Sequence, residues 1–170
     1  DAGEGSRSIA QLVVSNVAWV DVLLNLLQHR ALWTRLLTIQ ILTALHIATP
    51  TRTGSALLAC GGGMMRLLDA LSDTREEIRN ELLLLLSLLT YKNMEMQTFL
   101  AFQEGFPRLS AILESEGYRG VIADDTLSIL LNIVDGNGTA QKLLVDSQCL
   151  ACLLTCLQLD ESDIQGGAIS

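Results

Sequence analysis

A helical pattern that recurs every 41 to 46 residues constrains this chain more than any other feature. Each unit reads as a short helix, a break of small residues, a medium helix, a polar turn and a long helix. The spacing predicts short helices near 8–15, 53–60, 94–103 and 139–146, and medium helices near 17–28, 63–71, 106–116 and 148–158. Long helices are expected near 32–47, 75–91 and 120–134. The breaks fall where helix chemistry wants them. Gly61-Gly62-Gly63 separates short from medium helix in the second unit, and Gly105 with Pro107 does so in the third, since glycine ends helices and proline suits a first turn. Ser72, Asp73 and Thr74 offer caps ahead of Glu76 and Glu77, while Asp135-Gly136-Asn137-Gly138 is a stop signal.

The resulting expectation is an all-α fold: an armadillo/HEAT-like, right-handed superhelical solenoid of three-helix repeats, about four units with incomplete ends. The units run 8–47, 53–91, 94–134 and an incomplete 139–159, after a disordered or linker start at 1–7 and before a polar tail at 160–170. The long helices fit the middle of such a stack. Glu81 is followed by five leucines, then Ser87, Leu88 and Leu89, so apolar side chains point nearly all round, as neighbours on both flanks require. Composition agrees. Leucine fills 35 of 170 positions, while aromatic residues reach only 4%, too few for a β-sandwich. The chain opens Asp-Ala-Gly-Glu without Met, as a piece of something longer would.

Charge narrows the partners. Nineteen acidic against eleven basic residues give −8, which lacks the basic footprint of nucleic-acid binding and disfavours anionic lipid. The longest apolar stretch, Leu82 to Leu89, is far short of the ~20 residues that span a bilayer, so no membrane anchor is expected.

The chain offers little chemistry. Two histidines, His29 and His46, lie in or beside leucine-rich helices, with no sign of a nucleophile, base and orienting group in one cleft. Gly61-Gly62-Gly63 lacks the Lys-Ser/Thr of a phosphate loop. Cys149, Cys152 and Cys156 form Cys-x2-Cys-x3-Cys on one helix face, but no fourth ligand is near, and with Cys60 they read as core thiols. Asp124 and Asp125 stand at a helix start, where acids suit the dipole. No catalytic residue, metal or cofactor is expected. What remains is a polar pair on each of two long helices. In register, Asn80 matches Asp125 and Ser87 matches Asn132; members of each pair are seven residues apart and share a face. Third helices line the concave side of an armadillo array, so these positions either hold a partner or bond the neighbouring backbone. The first unit has Leu37 and Ala44 there.

Three stretches resemble a known family in order as well as content. They are Ser72 through Thr90, reading Ser-Asp-Thr-Arg-Glu-Glu-Ile-Arg-Asn-Glu and then the leucine run; Asn93 through Leu109, reading Asn-Met-Glu-Met-Gln-Thr-Phe-Leu-Ala-Phe-Gln-Glu-Gly-Phe-Pro-Arg-Leu; and Val121 through Val134. They resemble the armadillo-like globular head of the general vesicular transport factors, the Golgi tethers found from yeast to animals. The family's third helices carry an Arg-Asn pair, matched by Arg79-Asn80, an acidic-Asp start, matched by Asp124-Asp125, and Leu-x-Asn-Leu, matched by Leu131-Asn132-Ile133. The likeness spans roughly 10 to 158 and is firmest from 63 to 145; Gly61-Gly62-Gly63 and the N-terminal segment depart from it.

The resemblance implies vesicle tethering at the ER–Golgi boundary without catalysis, in the cytoplasm and peripherally on Golgi and transport-vesicle membranes. It implies protein partners: a Rab-family GTPase in its GTP form, SNAREs and other tethering factors. It also implies a coiled-coil dimeric parent, and exposed repeat ends point to self-association. Partner-binding positions are expected at Arg79, Asn80, Asp125 and Asn132. Two other readings stand beside it: an armadillo/HEAT adaptor for peptide segments, against which the lack of a regular Asn ladder counts, and a regulatory domain of a longer enzyme.

Overall fold

A computed structural model describes residues 2–147 and 149–166, with side chains described for 5, 7–147 and 149–158. Eleven helices and no strand are present among the described residues. They are α1 (Ala2–Ser15), α2 (Val17–Leu26), α3 (Leu32–Ala48), α4 (Pro50–Ala59), α5 (Gly63–Ala70), α6 (Glu76–Thr90), α7 (Met94–Phe102), α8 (Gly105–Ser115), α9 (Val121–Val134), α10 (Gly138–Asp146) and α11 (Cys149–Gly166). Three helices per complete unit follow the expected breaks, but the expected short-then-medium order fails in the first two units: α1, with 14 residues, and α4, with 10, are longer than α2, with 10, and α5, with 8. No single helix among the described residues is long and apolar enough to cross a membrane.

Two ends differ from the sequence reading. Helix α1 begins at Ala2, so residues 2–7, expected as a disordered or linker start, are helical. Helix α11 continues to Gly166 through the stretch expected as a polar tail. Aspartate and serine lower helix propensity only modestly and glutamate favours the helix, so nothing before the glycines stops it. Asp1, Gln148 at the head of the expected last medium helix, and tail residues 167–170 lie outside the described residues.

Local chemistry sets the breaks. Asn16 caps α2, accepting from the Ala18 N–H at 3.0 Å, and Asn137 caps α10, accepting from the Ala140 N–H at 3.1 Å. At the second break Gly62 takes the left-handed conformation, with φ 73°. At the third the left-handed residue is Glu104, φ 58°, and not Gly105. Gly105 is needed for space instead: a Cβ there would sit 2.5 Å from the Leu100 carbonyl oxygen.

The chain divides into two compact units, one ending at Met96 and the other beginning at Gln97. In the first, α3 packs along α6, α2 on α3 and α5, and α4 on α3 and α5. Leu24, Ile39, Leu42, Leu57, Leu67, Leu82, Leu85 and Leu89 are sealed from solvent. Of the five-leucine run, Leu84 alone is exposed. Hydrogen bonds between equivalent elements carry the repeat into three dimensions. Gln40 Nε2 donates to Glu81 Oε1 at 2.8 Å, His46 Nε2 bonds the Leu88 carbonyl at 3.2 Å, and Arg66 Nη1 pairs with Asp21 Oδ1 at 2.8 Å. Their partners are 41, 42 and 45 residues apart, the interval of the sequence pattern. In the second unit α9 packs on α8 and α10, and α11 on α8, around Phe106, Leu109, Leu113, Ile129 and Ile133. Buried threonines cost little, because Thr38, Thr43 and Thr90 return their hydroxyls to the carbonyl four residues back.

Candidate functional site

The long helices display the residues singled out by sequence. In the first unit Arg79 and Asn80 lie half-buried on α6, and Ser87 stands two turns on along the Asn80 face. Arg79 and Ser87 are engaged within the chain, whereas the Asn80 side-chain oxygen is buried without a hydrogen-bond partner. In the second unit Asp125 and Asn132 lie half-buried on one face of α9, Asn132 also engaged. The register positions on α3 are apolar and open: Leu37 and Ala44 are exposed, and Trp33 (69% exposed) and Ile41 (46%) extend them into a stripe.

Asp73 does more than the cap expected of it. Its carboxylate pairs with Arg35 on α3 and with Arg75, whose Nε lies 3.1 Å away, and it accepts from the Arg75 N–H at 2.9 Å just before α6. The thiols behave as core residues. Cys60, Cys149 and Cys152 are buried, Cys156 is half-buried, and burial pushes all four above the ordinary thiol range. Among the described residues no group of three or more His, Cys, Asp or Glu side chains is placed to hold a metal ion.

A groove of about 330 Å³ in the first unit escaped the sequence reading. It opens where α3 and α6 end and α4 and α7 begin. His46, Pro50 and Ser55 line it from α3 and α4, and Tyr91, Asn93 and Met94 from the α6–α7 connection. That connection is held in an unusual shape. Lys92 has φ 50°, its ammonium lies 5.2 Å from the Tyr91 ring centre, and Asn93 Oδ1 accepts from the Met96 N–H at 3.2 Å. His46 is 7% exposed. A carbonyl can only accept, so the bond to Leu88 places the ring proton on Nε2. Burial drives the His46 pKa below its usual value, against the Leu88 bond, which raises it. The neutral ring therefore keeps Nδ1 as an acceptor, and that atom is buried with no partner. Such an orphan costs roughly 1–3 kcal/mol. The signal that could have pointed here is a histidine closing an apolar long helix just before Thr49-Pro50.

No protein-family model matches the chain. It is 35% identical over 125 residues to the human General vesicular transport factor p115, covering 72% of this chain and 13% of that protein. It is 41% identical over 98 residues to Golgin candidate 6 of Arabidopsis thaliana, covering 58% of this chain and 11% of the relative. The crystal structure of Uso1-2 superposes with a TM-score of 0.82 at 30% identity, covering 88% of this chain and 22% of that one. This chain therefore matches only about an eighth of the length of these two curated relatives.

Proposed function

The chain belongs to the family of the general vesicular transport factors p115 and Uso1, and on that footing we propose that it is a non-catalytic interaction scaffold, part of a vesicle-tethering head. The observation that carries this reading is the agreement of sequence and fold with that family over the stacked helices. Its place would be the cytoplasmic face of Golgi and transport-vesicle membranes, held there through proteins. Partners of this class are a Rab-family GTPase in its GTP form, SNAREs and other tethering factors. The parent would dimerise through a coiled coil.

Arg79 and Asn80 on one helix, and Asp125 and Asn132 on another, are the proposed contact residues. The repeat units 8–47, 53–91, 94–134 and 139–159 belong to the same proposal. What supports this choice is placement: Asn80 and Asp125 hold matching register positions on the two long helices, and all four residues are half-buried with part of each open to solvent. A few such contacts carry most of the energy in a protein interface.

The test is capture of purified Rab-family GTPases, loaded with a GTP analogue or with GDP, on the immobilised 170-residue chain. Retention of one GTPase in the analogue arm alone, lost in Asn80→Ala and Asn132→Ala variants that still melt normally, is the expected result. Equal retention in both arms, or retention untouched by these variants, overturns the assignment.

A further inference from the structure

We propose that a pocket between α8 and α11, within the second unit, takes in one arginine side chain of a partner protein, held by the Glu114 carboxylate and the Tyr118 ring. This rests on the reading of the chain as a protein-interaction scaffold and gives that scaffold a contact of defined chemistry.

The pocket has a volume of about 310 Å³. Glu114 of α8 lines it, with Tyr118 from the turn that follows, Ser147 ahead of α11, and Ala151, Cys152 and Thr155 on α11. Its thiol and aliphatic hydroxyls have spent their protons. Cys152 Sγ donates to Glu114 Oε1 at 3.2 Å, Ser147 Oγ to the Leu144 carbonyl at 2.7 Å, and Thr155 Oγ1 to the Ala151 carbonyl at 3.0 Å. Ser147 Oγ also accepts from the Cys149 N–H at 3.3 Å, which caps the start of α11. What these side chains keep is acceptor capacity, above all the exposed Glu114 carboxylate, whose Oε1 holds only a weak thiol donor. Tyr118 adopts the left-handed backbone conformation, φ 65°, and brings its phenol beside Cys152 and Glu114. Burial raises the Tyr118 pKa and those two neighbours raise it further, as they would in a site that favours positive charge.

A carboxylate would meet like charge at Glu114. A neutral amide brings donors but no charge to pair with it. An ammonium meets the carboxylate from a single point. A guanidinium carries five donors in a planar fork, so it can bond a carboxylate while its face lies on an aromatic ring. Attraction between the cation and the ring then adds to the ion pair. The chain's net charge of −8 draws a basic segment toward it.

The chain has two tyrosines, so ring NMR of the 13C-tyrosine-labelled protein reads the site directly, with Tyr91 of the first unit as internal reference. The probe is acetyl-Ala-Ala-Arg-Ala-Ala-amide, with citrulline, Lys and Glu in place of Arg as controls. Citrulline keeps the shape of arginine and loses its charge. The Arg peptide is expected to shift Tyr118 and leave Tyr91 still, and to bind about fivefold or more tighter than the citrulline peptide. The Lys peptide should bind more weakly than the Arg peptide, and the Glu peptide least. Glu114 and Ala151 are exposed, so variants at either should melt as the parent does. Glu114→Gln should lower binding of the Arg peptide to the citrulline level, and Ala151→Phe should block the pocket. A static Tyr118 signal, citrulline or Lys binding equal to Arg, or full binding to either variant would each overturn the proposal. No GTPase enters the titration, so its failure is separate from failure of the tethering reading.

Discussion

Removing the Asp73 carboxylate should be among the more damaging single changes in the first unit. The side chain is 7% exposed and holds Arg35, itself 13% exposed, against the turn that launches α6. Deleting one partner of a well-buried pair costs about 3–5 kcal/mol, because the other charge is left stranded. Arg35 retains some access to water, which places the ion-pair loss near the low end, about 3 kcal/mol. The Arg75 N–H loses its acceptor as well, about 1 kcal/mol more. Asp73→Ala is therefore expected to lower unfolding free energy by about 3–4 kcal/mol and Tm by about 6–16 °C for a chain of this size. Urea unfolding followed by far-ultraviolet circular dichroism measures it, with an unchanged m-value as the check on a common end state. Acid supplies a second handle. Burial raises the Asp73 pKa, but the Arg75 hydrogen bonds and the Arg35 and Arg75 charges outweigh it and hold the carboxyl below its usual value of 3.8. A depressed folded pKa means stability that is full above the unfolded pKa and lost as pH falls through the folded one. The gap between wild type and Asp73→Ala should hold constant from pH 7 to about 5 and close below about 4. A loss under about 1 kcal/mol at pH 7, or a gap that persists in strong acid, refutes the reasoning.

Three further outcomes are expected. His46 has a folded pKa below its unfolded 6.5, so the unfolded chain takes the proton first; stability should fall as pH drops from 6.5 to the folded value and then level, and urea titrations of His46→Gln should lack that slope. Gly105→Ala forces a Cβ to 2.5 Å from the Leu100 carbonyl oxygen and should cost about 1–3 kcal/mol in thermal melts, whereas Gly61→Ala, with nothing within 4 Å, should stay within about 0.5 kcal/mol. The exposed stripe Trp33, Leu37 and Ile41 should draw two copies together at high concentration, and Trp33→Glu should return a monomer in light scattering; concentration-independent monomer in the parent chain would count against it.

The helix order was legible because its punctuation is local: Asn16, Gly61 to Gly63, Gly105, Pro107 and Asn137 act on their own neighbours. The ends were harder for the same reason. Gly3 and Gly5 weaken a helix by about 1 kcal/mol each, which argues for a later start, yet Ala10 and Val14 are buried and anchor α1. The groove was not legible, since His46 meets Tyr91 to Glu95 only once one repeat has stacked on the next. Asp73 looked like a cap because its other partner, Arg35, lies 38 residues earlier in the chain. Sequence locates a polar residue on a helix face; only packing tells whether its hydrogen-bonding capacity is already used.

That distinction separates architecture from recognition in this fold. Gln40 with Glu81, and Asp21 with Arg66, spend their polar groups joining one repeat to the next. His46 spends one ring nitrogen in the same way and keeps the other, and Asn80 keeps its oxygen. The register shared by Leu37, Asn80 and Asp125 carries an aliphatic, an amide and an acid in turn, so stacking does not dictate what stands there. A repeat protein can vary such positions at little cost to its core, because each unit contacts only its neighbours. Half-buried register positions, and not the sealed polar atoms, are therefore where the sequence can change without unstacking the repeats.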